Sequence, residues 1–443
     1  MKWLYRVLAI LLFSAVATAF LFANGSQEKG KVQQATVKWD QWWYSDPVRG
    51  PNVTWEIQEF EKTHPNIKVV PAAISSTAYW DQIPLDIASG TEGDIVTLDT
   101  GAGMNQYYNQ RPGGAFVDLK PYIKGYTLPD GTNLEKDIVL LDQMDRNGKT
   151  IALPFLWFAA PDTAYRKSDL KNAGIDPSQL TTWSGYENAA KALAKDGKYG
   201  FGQPDSQDVL SRWWLMNWLW TAGGGIFPDE KGPYTADRLI FNSQANIYAL
   251  TYLKRLIDEA GPSGQKSYPE LEALFANGNL ATMQIALWGV GNLQKNMKPA
   301  GSFESDLGLA PFPSLTLDGV THKPVYVAWG NPLALSTLSK NPKAAFEFMA
   351  FLDSKAVQER ETVAAAPVNT LVMPWYKEHF PVQYTFLNDA RKYTFRIVPD
   401  IANWNQWDHV IQESLNAALL GTKSVKDALD WGQQQMIQLL KQN

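Results

Sequence analysis

Residues 36–98 decide the fold: they begin with TVKWDQWW (36–43), continue through IQEFEKTHPNIKVV (57–70) and close with DIVTL (94–98). The first stretch alternates along its length and is rich in β-branched and aromatic residues, which predicts a strand. In the second, helical spacing stops at residues 64–66 and a β-branched strand follows. The last is a short apolar run typical of buried strands. Strand, helix, strand, helix and strand within about 60 residues predict an α/β fold with a largely parallel sheet.

The same alternation continues towards the C-terminus. Residues 151–153 predict another strand, and helices are predicted at 182–194, 242–260 and 343–352. A capping box at Ser424–Asp427 predicts the start of the last helix. No internal repeat is visible, so the chain does not belong to the repeat architectures.

Length and charge narrow the class of protein. A chain of 443 residues suggests two or three domains or lobes. The absence of cysteine excludes a disulfide scaffold, a cysteine-based zinc site and a thiol nucleophile. Forty basic against 45 acidic residues give a net charge of −5, which is not the pattern of a nucleic-acid binder.

The first 23 residues have the pattern of a secretory signal peptide. Lys2 and Arg6 precede an apolar stretch, and Ala17-Thr18-Ala19 is an A-x-A cleavage candidate, with cleavage after Ala23 an equal alternative. The polar residues 24–35 then predict a flexible tether. An uncleaved anchor stays open as the alternative, because about 17 apolar residues are the lower limit for a membrane span.

Motifs for catalysis and cofactors are missing. There is no phosphate-binding P-loop and no G-x-S-x-G elbow, and the glycines at 289–291 lack the third glycine of a dinucleotide fingerprint. The four histidines lie far apart and form no H-x-x-x-H pair. We therefore expect no cofactor and no metal. A pair of catalytic carboxylates carries no spacing signature, so a glycoside hydrolase stays open.

Twelve of the 18 tryptophans lie in aromatic clusters beside amide and acidic residues, mostly at predicted loops. The clusters lie at 39–44, 155–158, 213–220, 288, 329–331 and 403–407. A pyranose ring places its C–H bonds on an aromatic face, and its hydroxyls suit Asp, Asn, Gln and Glu side chains. The pattern therefore favours a carbohydrate ligand. The alternative for any one tryptophan is a place in the core, and the spacing within 213–220 also fits a buried helix face.

A co-linear series of segments resembles a known family. The segments are VKWDQWW, IQEFEKTHPNIKVV, LDIASGTEGDIVTLD, FVDLKPYI, IALPF, AYRKSDLKNAGID, TTWSGYENAAKALAKDGKYGFG, LFANGNLATMQIALWG, LGLAPFPS, NPKAAFEFMAFLDS, AAPVNT and ALLGTKSVKDALD. Together they resemble the extracytoplasmic solute-binding proteins of ABC importers, in sugar-binding family 1, the group that includes maltose-binding protein. Arg166 stands where this family often has asparagine, and the lipobox cysteine of many members is absent.

The resemblance implies a two-lobed periplasmic-binding-protein fold. Each lobe would be a mixed, mostly parallel sheet flanked by helices, and the lobes would close on ligand about hinge crossings. Lobe one would comprise 36–154 plus 312–360, and lobe two 155–311 plus 361–443. The crossings would then fall near Pro154, Pro311 and Arg360.

The resemblance also implies ligand contacts at specific positions, most of which coincide with the aromatic clusters. The implied contacts are Trp42, Trp43, Tyr44, Asp99, Thr100, Trp157, Trp218, Trp220, Trp288, Trp329, Asn331, Trp404 and Trp407.

The expected function is capture of a sugar or oligosaccharide in the periplasm and delivery to a membrane permease, by a monomer without enzymatic activity or nucleic-acid partner. A secreted glycoside hydrolase is the main alternative. A peptide- or polyamine-binding relative is the other, since Asp40, Asp46 and Asp99 near the aromatics would suit a cation.

Overall fold

The structure is a computed structural model that describes residues 34–46, 49–100, 104–146, 148–205, 211–362, 365–390, 392–401 and 403–441. The predicted signal peptide and nearly all of the predicted tether lie outside the described residues. Ala35, assigned to that tether, is already the first residue of a strand. Within the described part of the chain, no helix has the length and apolar character needed to cross a membrane.

Thirteen strands are described, and six of them form the main sheet. The strands are β1 Ala35–Asp40, β2 Ile67–Pro71, β3 Ile95–Thr97, β4 Asp145–Arg146, β5 Lys149–Thr150, β6 Leu153–Ala160, β7 Asp162–Arg166, β8 Thr282–Ile285, β9 Leu307–Ala310, β10 Leu315–Leu317, β11 Val320–His322, β12 Val325–Leu335 and β13 Thr394–Arg396. The main sheet has the order β13-β12-β3-β1-β2, with β6 also paired to β12. The α/β class predicted from residues 36–98 is confirmed, because β1 pairs in parallel with both β2 and β3.

Helices cover the sheets. They are α1 Gly50–Thr63, α2 Ser76–Ser89, α3 Met104–Tyr108, α4 Lys120–Ile123, α5 Leu134–Asp137, α6 Lys167–Ala173, α7 Trp183–Leu193, α8 Ser211–Thr221, α9 Gln244–Ala260, α10 Tyr268–Ala276, α11 Leu287–Asn296, α12 Phe303–Asp306, α13 Pro342–Leu352, α14 Lys355–Glu361, α15 Met373–His379, α16 Pro381–Ala390, α17 Trp404–Leu419 and α18 Val425–Lys441. The predicted capping box is confirmed, since Asp427 N donates to Ser424 Oγ (3.1 Å) and that hydroxyl donates to the Asp427 carboxylate (2.6 Å).

The core of the main sheet starts at β1. Val37 and Trp39 are completely buried, whereas Lys38 between them is exposed, as the alternation predicts. The Trp39 indole donates to Thr97 Oγ1 on β3 (3.1 Å), so its polar edge is satisfied inside the core. The strand ends at Asp40, three residues earlier than predicted, and Trp43–Ser45 form a 3₁₀ turn.

The second sheet differs from the prediction in its strand direction. It has the order β8-β7-β9, and both pairings are antiparallel. The prediction of a mostly parallel sheet is therefore wrong for these strands. Apolar runs such as Ala281–Ile285 do not reveal strand direction, because both faces of the strand are buried in either arrangement.

Strands β6 and β12 are the crossing strands, which run side by side between the two parts of the molecule. The β12 end at Leu335 pairs with Ile95 of β3. At its other end, Val327 N donates to Asn217 Oδ1 of α8 (2.9 Å). Ser314 N also donates to Thr181 O (2.9 Å), which attaches residues before β12 to the second lobe. We therefore propose that the second crossing lies within β12 and not near Pro311.

We also propose a later position for the third crossing. Val139 N donates to Val368 O (2.9 Å), and Asn369 Nδ2 donates to Thr132 Oγ1 (2.8 Å), so residues 365–372 lie on the first lobe. Helices α15 and α16 follow, and α16 packs on α11 and β6. We propose a crossing after Val372 in place of Arg360, with the lobe boundaries shifted accordingly.

Candidate functional site

Aromatic side chains meet where the crossing strands join the second lobe. Phe158 of β6 and Trp329 of β12 are directly opposite each other in the antiparallel ladder, with ring centroids 5.3 Å apart. Trp288, in the first turn of α11, lies 5.0 Å from Trp329 and 5.8 Å from Phe158. All three side chains are only half-buried. Nε1 of Trp329 has no hydrogen-bond partner in the described part of the chain.

Two buried rings support these three from behind. Trp214 of α8 and Tyr268 of α10 are stacked with centroids 5.3 Å apart and planes within 9°. Trp288 contacts both of them, at 6.1 Å and 5.8 Å. We call Phe158, Trp214, Tyr268, Trp288 and Trp329 the crossing cluster. Rings locked by packing lose little freedom when a ligand binds, so the arrangement is preorganised.

Gly289→Ala is expected to destabilise the crossing cluster. An added Cβ would lie 1.7 Å from the Tyr268 hydroxyl oxygen, and the Tyr268 ring is held against Trp214. Overpacking of this kind costs about 1–3 kcal/mol of unfolding free energy, measurable by urea denaturation. Adding Tyr268→Phe removes the closest atom and should recover part of the loss. An undiminished free energy of unfolding in Gly289→Ala alone would contradict the packing described.

A second aromatic group lies on the first lobe, after β1. The Trp42 ring lies 4.5 Å from Trp43, 4.9 Å from Trp80 and 5.1 Å from Tyr79. Trp42 and Trp80 are half-buried, whereas Trp43 is 5% exposed. Tyr44 is exposed, at 42%. Of the residues predicted here, Trp42 and Tyr44 therefore present surface, and Trp43 packs into the core.

Three predicted polar residues lie at the end of β3. Thr100 Oγ1 accepts from Gly330 N (2.8 Å), and Asn331 Nδ2 donates to Leu98 O (3.1 Å). Thr100 and Asn331 thus tie β3 to the crossing strand β12. Asp99 is half-buried. The pKa of Tyr107 is raised, mainly because Tyr107 is buried and secondly because the Asp99 charge lies near it.

The structure places four of the predicted contacts in helices. Trp218 and Trp220 of α8 are at most 1% exposed, and their indoles donate to Gln203 Oε1 (2.8 Å) and Glu230 Oε1 (2.6 Å). Trp404 and Trp407 of α17 have no exposed surface. All four were predicted in loops, with a buried helix face left open for 213–220. The loop placement is wrong, because the four residues lie in α8 and α17.

Trp157 also differs from the prediction. It lies within β6 and not in a loop after a strand, and it is 2% exposed. Its ring contacts Phe395 at 5.3 Å. Because successive strand residues point to opposite faces, Trp157 faces away from its neighbour Phe158, which joins the crossing cluster.

The predicted contacts did not include Phe158 and Trp214, although both lie in the aromatic clusters at 155–158 and 213–220, and sequence reasoning missed Trp80 and Tyr268 altogether. The predicted strand ended at Leu153. If it had been extended, the alternation of side chains along it would have placed Phe158 and Trp157 on opposite faces. For Tyr268 and Trp80 no local signal exists, because their roles come from contacts with distant residues.

Two of the three acidic residues considered for a cation ligand, Asp40 and Asp46, accept hydrogen bonds from the backbone. Asp40 Oδ2 accepts from Gly93 N (2.6 Å), and burial raises the pKa of the Asp40 carboxyl to about 6. Asp46 Oδ1 accepts from Arg49 N (2.8 Å). Among the described residues, no three His, Cys, Asp or Glu side chains are grouped so that they could hold a metal ion.

Known proteins of similar sequence are solute-binding proteins. The chain is 27% identical over 242 residues to a probable ABC transporter-binding protein of Deinococcus radiodurans, covering 52% of this chain and 53% of that protein. It is 23% identical over 191 residues to an arabinooligosaccharide-binding protein of Bacillus subtilis, covering 42% and 41%. The matched part thus spans about half or less of these relatives.

Solved structures share the fold over nearly the whole chain. A maltose-bound protein of T. maritima aligns with a TM-score of 0.73 and 21% identity, covering 91% of this chain and 100% of the other. A solute-binding protein of Thermotoga lettingae bound with α-D-tagatose aligns with a TM-score of 0.73 and 18% identity, covering 92% and 100%. These similarities establish the two-lobed periplasmic-binding-protein fold.

The family model for bacterial extracellular solute-binding proteins matches residues 50–359, most of the chain. That segment contains β2 and β3 of the main sheet, both crossing strands and every ring of the crossing cluster. The chain belongs to the bacterial extracellular solute-binding protein family.

Proposed function

We propose that the protein captures a sugar or oligosaccharide between its lobes and delivers it to the permease of an ABC importer. It would act outside the cytoplasm after export by residues 1–23, as a monomer that breaks no bond. The ligand would lie against Trp288, Trp329 and Phe158, with Trp42 facing it from the first lobe. Tyr44 and Asp99 remain proposed contacts beside Trp42.

The observation that carries this proposal is the crossing cluster. Three half-exposed rings form a preorganised apolar surface at the junction of the lobes, and the buried Trp329 Nε1 beside them has no hydrogen-bond partner among the described residues. Aromatic faces accept the C–H patch of a pyranose, and an N–H donor suits its hydroxyl oxygens. Ligand contacts made with both lobes would favour the closed arrangement over the open one.

The proposal is tested by a thermal-shift screen across mono- and oligosaccharides, peptides and polyamines. A bound ligand at 100 times its dissociation constant stabilises the folded state by about 2.7 kcal/mol, so the matching sugar should raise Tm by a few degrees. A response to polyamines or peptides alone would contradict the proposal. Incubation with the same oligosaccharides should yield no new reducing ends, and their appearance would favour a hydrolase.

A further inference from the structure

Arg49, which precedes α1, lies buried beneath the first-lobe aromatic group. It is 8% exposed, and its guanidinium carbon lies 4.0 Å from the Trp43 ring centroid. The Phe155 ring of β6 lies 5.5 Å away. Trp43 in turn lies 4.5 Å from the half-exposed Trp42. The guanidinium therefore supports Trp43, and Trp43 supports Trp42.

The Arg49 charge is held by Glu361, the last residue of α14. Arg49 Nε lies 2.8 Å from Glu361 Oε2, and Glu361 is 3% exposed. The other carboxylate oxygen accepts from Asn52 Nδ2 (3.0 Å). Arg360 Nε then donates to Asn52 Oδ1 (2.9 Å). A buried cation with an ion-pair partner and a flat aromatic ring beside it has one strongly preferred orientation.

A second glutamate, Glu56, lies close by but farther from the guanidinium. Its side chain is completely buried, and its Oε1 lies 3.9 Å from Arg49 Nη2. Burial first, and the Glu361 charge second, raise the pKa of Glu56 well above its ordinary value. Glu361, at 2.8 Å from Arg49 Nε, is the nearer ion-pair partner. The two glutamates provide a matched pair for mutation.

We propose that Arg49, fixed by Glu361, is a positioning residue that sets the orientation of the Trp42–Trp43 pair towards the ligand. The proposal rests on the proposed sugar-binding function. It assigns Arg49 a role through Trp43 and not a contact with sugar, because the guanidinium is buried below the indole. Arg49 also reaches the crossing strand β6, since the Phe155 ring lies 5.5 Å from its guanidinium carbon.

The affinity test uses four variants and calorimetry with the sugar found in the screen. Arg49→Met and Glu361→Gln should each raise the dissociation constant about tenfold. Arg49→Lys should recover part of this loss, since it keeps the charge but not the planar stack. Glu56→Gln should bind like the wild type, because Glu56 lies 3.9 Å from the guanidinium whereas Glu361 lies 2.8 Å from it. Equal weakening by Glu56→Gln and Glu361→Gln would overturn the assignment.

A double-mutant cycle separates positioning from general damage. In a Trp42→Ala background, Arg49→Met should produce no further loss of affinity, because the ring that it orients is gone. Additive losses would show that Arg49 acts by another route and would overturn the proposal.

Circular dichroism of the ligand-free protein tests the positioning role of Arg49 separately from sugar binding. The closely spaced Trp42 and Trp43 indoles should give an excitonic contribution to circular dichroism, defined by subtracting the Trp43→Phe spectrum. Arg49→Met and Glu361→Gln should lose that contribution, and Glu56→Gln should keep it. A retained contribution with wild-type affinity would reject the positioning role and leave sugar binding intact.

If the wild type binds no sugar, the spectra still decide the orientation of the pair. Should Arg49→Met fail to fold, Glu361→Gln carries the same comparison.

Discussion

Trp288→Ala is expected to raise the sugar dissociation constant by at least tenfold, a loss of about 1.4 kcal/mol. Trp288 lies at the centre of the crossing cluster and contacts Phe158, Trp329, Trp214 and Tyr268 within 6.1 Å. Its removal takes away one binding face and also loosens the rings beside it, which is why central aromatic anchors dominate binding energies. Isothermal calorimetry on the folded variant measures the change.

The matched control is Trp431→Ala. Trp431 lies on α18, is also half-buried, and carries Lys423 at 4.6 Å from its ring centroid. Its loss should lower stability without changing sugar affinity. A Trp288→Ala dissociation constant within about twofold of the wild-type value would remove Trp288 from the site.

Glu230→Ala is expected to lower the free energy of unfolding by at least about 3 kcal/mol, the largest stability effect that we predict. The buried carboxylate accepts from Trp220 Nε1 (2.6 Å), Ile226 N (2.9 Å) and Phe227 N (3.0 Å). Alanine leaves all three donors buried and unbonded. Trp220→Phe removes one of the three and should cost less, because both backbone donors keep their partner. A loss in Glu230→Ala no greater than in Trp220→Phe, by urea denaturation, would contradict this role.

The same carboxyl makes stability depend on pH. Burial raises the pKa of Glu230 to about 7, above the value of 4.5 for an unperturbed glutamate. The folded state therefore holds this proton more tightly than the unfolded state. The Glu230 contribution is complete below pH 4.5 and decreases as pH rises through about 7. Glu230→Ala should lack this decrease between those two values.

Local patterns predicted most elements of the fold. The alternation at 36–43 predicted β1, and helical spacing with its stop signals predicted α1, α7, α9 and α18 with small errors at the ends. These signals are local, because a strand or an amphipathic helix is recognised from the spacing of apolar residues within its own segment. Where a prediction needed the partner of a strand, as in the direction of the second sheet or the extension of β6 past Leu153, local pattern was insufficient.

Tryptophan content alone predicted a class of ligand but not which tryptophans would face it. Trp218 and Trp220 lie on a helix in which residues 213–221 are all buried, and their indoles donate to Gln203 and Glu230. Trp288 and Trp329 have the same chemistry but lie where the crossing strands meet the second lobe. Their exposure depends on neighbours more than 40 residues away in the chain, which no local spacing encodes.

By itself, then, the sequence determined the α/β class, the order of the elements, the family resemblance and the carbohydrate-like chemistry of the aromatic segments. The tertiary structure decided which rings come together, since Phe158, Trp214, Tyr268, Trp288 and Trp329 come from five separate elements. It also decided that Arg49 lies nearer to Glu361 than to Glu56, although Glu56 is far closer in sequence. Periodicity reports how each segment faces its own surroundings, whereas a binding surface is formed by long-range contacts that exist only after the segments pack.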